Sequence, residues 1–408
     1  MQKKLIALAV AGLASTGAFA QSNVQIYGLL DLGYQHLSAT GRDSVNRVGS
    51  MSSNLWGLKG TEDLGNGLKA GFNLEAGLAS DVGGLAGGSA GKVFSRQSFL
   101  SLSGGFGTAL VGRFNTFGRT YGTVKYSASP LSAVDGVGLL SSAAGFTISG
   151  NGIDTDATGG RISNGIAYVS PSFSGVTVGY AHSFAENAGN TVGANQFNIN
   201  ELWVGYGNGP LSVDYIYNNV NSSATPAAAW VQNQTTGAFA QTGLNQATVV
   251  NAIGPIQEHF LGAAYDFGTV KVLGSYQTRK TEATNTDKVW NLGALIPVSA
   301  AGKVSVSYAK LSMGSDLRGN NNPLGAGAGV TLASASIGLL PAGGVLDNAS
   351  AWALGYYHSL SKRTTAYTTY THAKNDGNGT IGFTNAANSN PTAGGSTNLF
   401  SLGLQHAF

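Results

Sequence analysis

The sequence offers few residue groupings able to do covalent chemistry. GGSAG at 87–91 fits the G-x-S-x-G spacing of a nucleophilic serine. That motif works only on a sharp turn between a strand and a helix, and here Gly-rich sequence flanks it on both sides. GK at 91–92 is followed by Val93, where a phosphate-binding loop needs Ser or Thr. The six histidines, His36, His182, His259, His358, His372 and His406, stand far apart, and there is no cysteine, so no metal-ligand spacing arises. No catalytic residue, metal site or cofactor is expected. Charged groups remain the only candidates for function. A few of them set against one another can act on passing ions without covalent chemistry if something holds them around a narrow space.

The elements that would hold them read as β-strands. Val24, Ile26, Gly28, Leu30, Leu32 and Tyr34 alternate with Gln25, Tyr27, Leu29, Asp31, Gly33 and Gln35. The same period of two recurs at 69–76, 176–181, 270–277, 303–308 and 351–358, and it closes the chain in NLFSLGLQHAF at 398–408. Successive strand side chains point to opposite faces, so one face of each segment is apolar and the other polar or small.

Composition says what the apolar face meets. Gly supplies 61 of 408 residues, about twice the usual share, and charged residues only 10%, against about a quarter in ordinary globules. MQKKLIALAVAGLASTGAFA at 1–20 has Lys3 and Lys4, a short apolar run and an Ala-Phe-Ala end; it is expected to be a cleaved secretory signal, leaving 21–408 as one domain. Beyond it no apolar run approaches the roughly 20 residues of a spanning helix. The near balance of 22 basic and 19 acidic residues, with no charged tail, gives no reason to expect nucleic acid as a partner. An exported, charge-poor chain of alternating strands points to β-structure facing lipid.

Turn signals count the strands. EDLGNG (62–67), SGGFGT (103–108), SPSFSG (170–175), GNGP (207–210), DFGT (266–269), PVSAAG (297–302) and LSKRT (360–364) are tight. They alternate with longer Gly/Asn/Ser/Ala-rich stretches such as 219–256, 312–348 and 375–395. Seven short turns and two free ends on one side, with eight long loops on the other, require an all-β transmembrane antiparallel barrel of 16 strands. Unpaired backbone groups are prohibitively costly in lipid, so the last strand must pair with the first. Phe408 then anchors at the interface with Trp56, Tyr180, Tyr206, Tyr265, Tyr276, Trp290, Tyr308, Trp352 and Tyr356 as an aromatic girdle. A barrel of this size leaves a water-filled channel.

Several stretches carry a resemblance. QIYGLLDLGY (25–34), GLKGTEDLGNGLKAGFNLE (57–75), RQSFLSLSGGFGTALVGR (96–113), YVSPSFSGVTVGYAHS (168–183) and LGYYHSLSKRTTAYTTY (354–370) resemble the general porins of Gram-negative, particularly β-proteobacterial, outer membranes. The resemblance implies a homotrimer of 16-stranded barrels in the outer membrane, among lipid and lipopolysaccharide, with short periplasmic turns and long external loops. It implies that the third long loop, about 114–145, folds into the lumen as a constriction. The closing LGLQHAF resembles the family's carboxyl-terminal signal, implying that the insertion machinery reads Phe408. It also implies a basic wall of Lys59, Arg96 and Arg161 with Arg113 near the loop base, faced by Asp135 alongside Arg119 and Lys125 on the loop, with Glu75 and Asp31 on neighbouring strands.

The expected function is passive diffusion of ions and small hydrophilic solutes, with a preference for anions. A substrate-selective channel is the nearer alternative; it would need an aromatic track, for which Tyr27, Phe99 and Tyr126 are too few. A barrel enzyme would need a Ser/His or paired-carboxylate cluster at a rim, and a β-solenoid one fixed repeat length.

Overall fold

In the computed structural model, the structure describes residues 23–86, 93–129, 131, 140, 160–184, 197–222, 230–232, 239–241, 255–280, 285–314, 347–383 and 390–408. The expected signal at 1–20, GGSAG at 87–91 and Asp135 lie outside the described residues.

Sixteen long strands form one closed antiparallel sheet. They are β1 Gln25–Ala39, β2 Leu55–Gly65, β3 Leu68–Ala79, β4 Gln97–Gly104, β5 Gly107–Asn115, β6 Arg161–Val169, β7 Val176–Ser183 and β8 Phe197–Asn208. The second half comprises β9 Leu211–Ser222, β10 Ile256–Asp266, β11 Lys271–Lys280, β12 Asp287–Pro297, β13 Gly302–Ser312, β14 Ala349–Ser359, β15 Thr364–Asn375 and β16 Ser396–Ala407. Two short strands, Val45–Gly49 and Gly84–Ala86, extend the sheet on the loop side, and Trp230–Gln232 pairs separately with Phe239–Gln241.

All seven tight segments join neighbouring strands at one end of the barrel, the end expected to face the periplasm. The connections at the other end, the expected external loops, are long with one exception. Only residues 281–286 separate β11 from β12. Arg279 and Asp287 are register partners there and form a buried ion pair, Nη2 to Oδ2 2.7 Å, which holds the two strand ends together across the loop.

Closure is between β1 and β16, from Leu29 opposite Ala407 to Ala39 opposite Thr397. Gly28 and Phe408 continue the ladder with reciprocal N–H···O bonds of 3.1 Å. The first and last strands thereby satisfy each other's backbone groups, as a lipid-embedded sheet demands.

Alternation sorts the faces. Ile26, Leu30 and Tyr34 are exposed on β1 while Asp31 and Gln35 are buried. On FLSLS, whose sequence permits either orientation, Leu100 and Leu102 point outward, with Leu100 62% exposed. Among the expected girdle rings Tyr180, Tyr265, Tyr276, Trp290, Tyr308, Trp352, Tyr356 and Phe408 are exposed, while Trp56 and Tyr206 are half-buried. The packed apolar groups are inside, where Phe117, Tyr126 and Ala128 meet Trp203, Ile216 and Phe260, and where Leu131 and Leu140 meet Met51, Leu311 and Met313. That interior packing follows from the chain that crosses the bore.

Candidate functional site

After β5 the chain turns inward through one π turn, Gly118–Gly122. A bulge prepares the exit: the β5–β6 register shifts between Gly112 and Phe114, and Gly112 takes φ +126°, a left-handed conformation open to glycine. The inner segment then fastens to successive inward positions of the wall. Glu201 on β8 accepts from Phe117 N (2.6 Å) and Gly118 N (2.9 Å), satisfying two donors at the start of the turn. Tyr121 stacks on Trp203 with centroids 3.7 Å apart. Asp214 on β9 accepts from Tyr126 Oη (2.5 Å) and Trp203 Nε1 (2.7 Å) and pairs with Lys125. Asn291 on β12 donates to Tyr126 O (3.0 Å), and Ser129 Oγ lies 3.0 Å from Tyr357 Oη on β14. Tyr126 can lie against β10 because Gly262 has no side chain; a Cβ there would come within 2.3 Å of the ring. The segment therefore follows the wall from β8 to β14.

The facing wall, β1 to β4, carries charge. Tyr27 on β1 reaches over Gly57 of β2 to donate to Glu75 Oε2 (2.9 Å) and Asn73 Oδ1 (2.8 Å) on β3. Arg96 Nε donates to Glu75 Oε1 at 2.6 Å. Both carboxylate oxygens of Glu75 are thus engaged. Lys59 on β2 is exposed, its Nζ 5.0 Å from the Tyr27 ring centroid. Arg119, on the inner segment, joins this group electrostatically. Burial first, then the Arg96 guanidinium, hold its pKa down to about 10, and Glu75 acts in the opposite sense. Arg119 stays protonated at neutral pH.

The structure treats the remaining expected residues differently. Arg113 Nε donates to Ser95 O (2.7 Å), and its Nη1 donates to Ser163 Oγ, so it ties the approach to β4 and the start of β6 to the loop root. Arg161 is 3% exposed at the start of β6, opposite Asn115, and does not face open water. Asp31 also departs from the expected lining role, because it is fully buried. Its Oδ2 accepts from Met51 N (3.2 Å), Ser52 N (2.7 Å) and Ser52 Oγ (2.7 Å), and its Oδ1 from Tyr367 Oη (2.6 Å). A carboxylate with four donors is a structural clamp.

Residues 7–378 match the Gram-negative porin family, Porin_4. The chain belongs to the Gram-negative porins. It is 31% identical to outer membrane porin protein 32 of Delftia acidovorans, covering all of both chains, and 30% identical to an outer membrane porin protein of Bordetella pertussis, covering 92% of this chain and 95% of that one. Among solved structures, an anion-selective porin from Comamonas acidovorans superimposes with a TM-score of 0.68 at 27% identity, over 95% of this porin and all of the other. OmpT of Vibrio cholerae in a trimer form shares the fold alone, with a TM-score of 0.59 at 16% identity over 95% and 99% of the chains. This porin is an outer-membrane channel protein.

Sequence reasoning placed Arg119 on the loop opposite the basic wall without joining it to Arg96 and Glu75, and did not single out Glu201 and Asp214 as anchors. Glu201 and Asp214 share the parity of the buried residues on β8 and β9, which marks them as lumen-facing. Only the path of the inner segment tells which backbone donors they receive. Among the described residues no group of three His, Cys, Asp or Glu is arranged to hold a metal ion.

Proposed function

We propose that this porin is a passive, non-enzymatic diffusion channel for ions and small hydrophilic solutes that passes anions in preference to cations. One observation carries the reading. Among the described residues Lys59, Arg96 and Arg119 stand at the waist against one carboxylate, Glu75, whose two oxygens are already taken by Arg96 and Tyr27. A narrow bore between low-dielectric walls magnifies such an excess of positive charge, drawing anions in and repelling cations. The similarity to an anion-selective porin supports the same sign. A substrate-selective track gains no support from Tyr121 and Trp203, because their rings are spent on each other.

The assembly proposed is a homotrimer in outer-membrane lipid and lipopolysaccharide, with Phe408 presented to the insertion machinery during biogenesis. The trimer form of a protein with the same fold supports that assembly.

The test is a planar-bilayer recording under a KCl gradient. Wild-type protein should give a reversal potential of anionic sign and close in three steps. Lys59→Gln with Arg96→Gln should move the potential toward zero or beyond, and Arg119→Gln should move it the same way by a smaller amount. A cation-selective wild type would defeat the charge reading.

A further inference from the structure

Lys59 has a carboxylate within reach and does not pair with it. On the inward face of the wall, Gln25 of β1, Lys59 of β2 and Asn73 of β3 stand in one row, and Tyr27, Gly57 and Glu75 stand in the next. Glu75 is therefore the diagonal neighbour of Lys59 on the adjacent strand, about 7–8 Å away, a separation that long side chains bridge. Opposite charges so placed attract across a sheet. Yet Glu75 is buried and committed to Arg96, while Lys59 is exposed and has no ion-pair partner among the described residues. Asp63, further along the same face of β2, stands opposite Lys69 and accepts from Gly65 N at 2.9 Å in its own turn.

Tyr27 stands between the two charges. Its ring lies over Gly57, which is both the register partner of Glu75 and the inward residue next to Lys59. A Cβ on Gly57 would come within 2.7 Å of Tyr27 Cζ and 2.8 Å of its Oη, so the crossing is open only to glycine. The ring face and the hydroxyl serve different partners. Lys59 Nζ rests 5.0 Å from the ring centroid, a distance at which an aromatic face attracts a cation. The hydroxyl reaches Glu75 Oε2 at 2.9 Å and Asn73 Oδ1 at 2.8 Å. A phenol has one proton to give, and a charged oxygen is the stronger acceptor. From the other side Arg96 Nε takes Oε1 at 2.6 Å, and Arg96 N donates to Glu75 O at 3.0 Å. Glu75 is thus held toward Arg96 and away from Lys59.

We infer that Tyr27 is a positioning residue for ion selectivity: its ring seats the Lys59 ammonium and its hydroxyl occupies Glu75 Oε2, so the carboxylate does not neutralise Lys59. This rests on the charge reading proposed above and assigns the residue that keeps the positive excess from cancelling itself.

The test is the reversal potential of the full-length porin in a planar bilayer under a KCl gradient, with folding judged by the heat-dependent gel shift. Tyr27→Phe releases Oε2 to Lys59 and should move the potential toward cations, in the direction of Lys59→Gln and by no more than that variant does. In a Glu75→Gln or a Lys59→Gln background, where one of the two charges is already gone, Tyr27→Phe should move nothing. An equal shift in all three backgrounds would reveal a general disturbance of the wall and overturn the inference, as would an unmoved potential in the wild-type background. Tyr367→Phe, which removes the hydroxyl bonded to buried Asp31, should leave the potential in place, and a shift as large as that of Tyr27→Phe also overturns it. Should Tyr27→Phe fold poorly, Gly57→Ala, whose methyl displaces the same ring, should shift the potential in the same direction; no shift there counts equally against the role of Tyr27. A cation-selective wild type that Tyr27→Phe moves further toward cations would defeat the proposed selectivity and leave that role standing.

Discussion

Tyr367 of β15 reaches across β16 to donate its hydroxyl to Asp31 of β1, at 2.6 Å. The ring crosses at Gly403, where a Cβ would lie 2.4 Å from the Tyr367 hydroxyl oxygen. This side-chain bond spans the seam where the sheet closes, inside the backbone ladder from Leu29–Ala407 to Ala39–Thr397. Tyr367→Phe removes one of four donors from a buried carboxylate and should destabilise the barrel by about 1.5–3 kcal/mol. Gly403→Ala should cost at least as much, because it displaces the ring as well as the bond. Urea unfolding midpoints in detergent read both. An unchanged midpoint for Tyr367→Phe would show that the closing ladder needs no inner clasp.

Asp214 gathers Lys125, Tyr126 and Trp203 at one carboxylate. Asp214→Asn keeps the volume but withdraws the charge that all three address. The inner segment should loosen while the barrel stays closed. The expected outcome is single-channel noise and a changed open-state conductance, with the reversal potential still anionic because Lys59, Arg96 and Glu75 are untouched. A quiet trace at wild-type conductance would mean that Glu201 and Tyr357 suffice to hold the segment.

The buried Arg279–Asp287 pair closes the one short external connection, and Asp287 Oδ1 also accepts from Gly314 N at 2.7 Å. Removing one partner leaves a buried charge without compensation, so Arg279→Met should destabilise by about 3–5 kcal/mol, whereas Arg279→Met with Asp287→Leu should recover much of that loss. Thermal unfolding of the two variants distinguishes a charge effect from a packing effect. Equal losses in both would point to the Gly314 contact as the important one.

The barrel was legible because alternation and turn chemistry are local. Residues 24–35 declare their two faces in a dozen positions, and DLGNG or SPSFSG names its own turn. The charged group of the proposed waist was legible only in part. Lys59, Arg96 and Glu75 could be chosen by face and by resemblance, but Asp31 and Arg161 have the same charges and have been drawn into buried positions. What separates them is the company brought by distant chain: the Ser52 hydroxyl and Tyr367 surround Asp31, and no local pattern announces that meeting. Arg119 could be put on the loop but not matched to its partners, for the converse reason. It lies on a segment without strand periodicity, so nothing in its neighbours fixes which wall it approaches.

The anchors of the inner segment also bear on the order of assembly. Glu201 and Asp214 share the β8–β9 hairpin, while Asn291 and Tyr357 belong to the β12–β13 and β14–β15 hairpins, and their positions relative to one another exist only after those three hairpins have zipped side by side. The inner segment therefore cannot take its final path until those hairpins stand side by side: the ring must come before what crosses it.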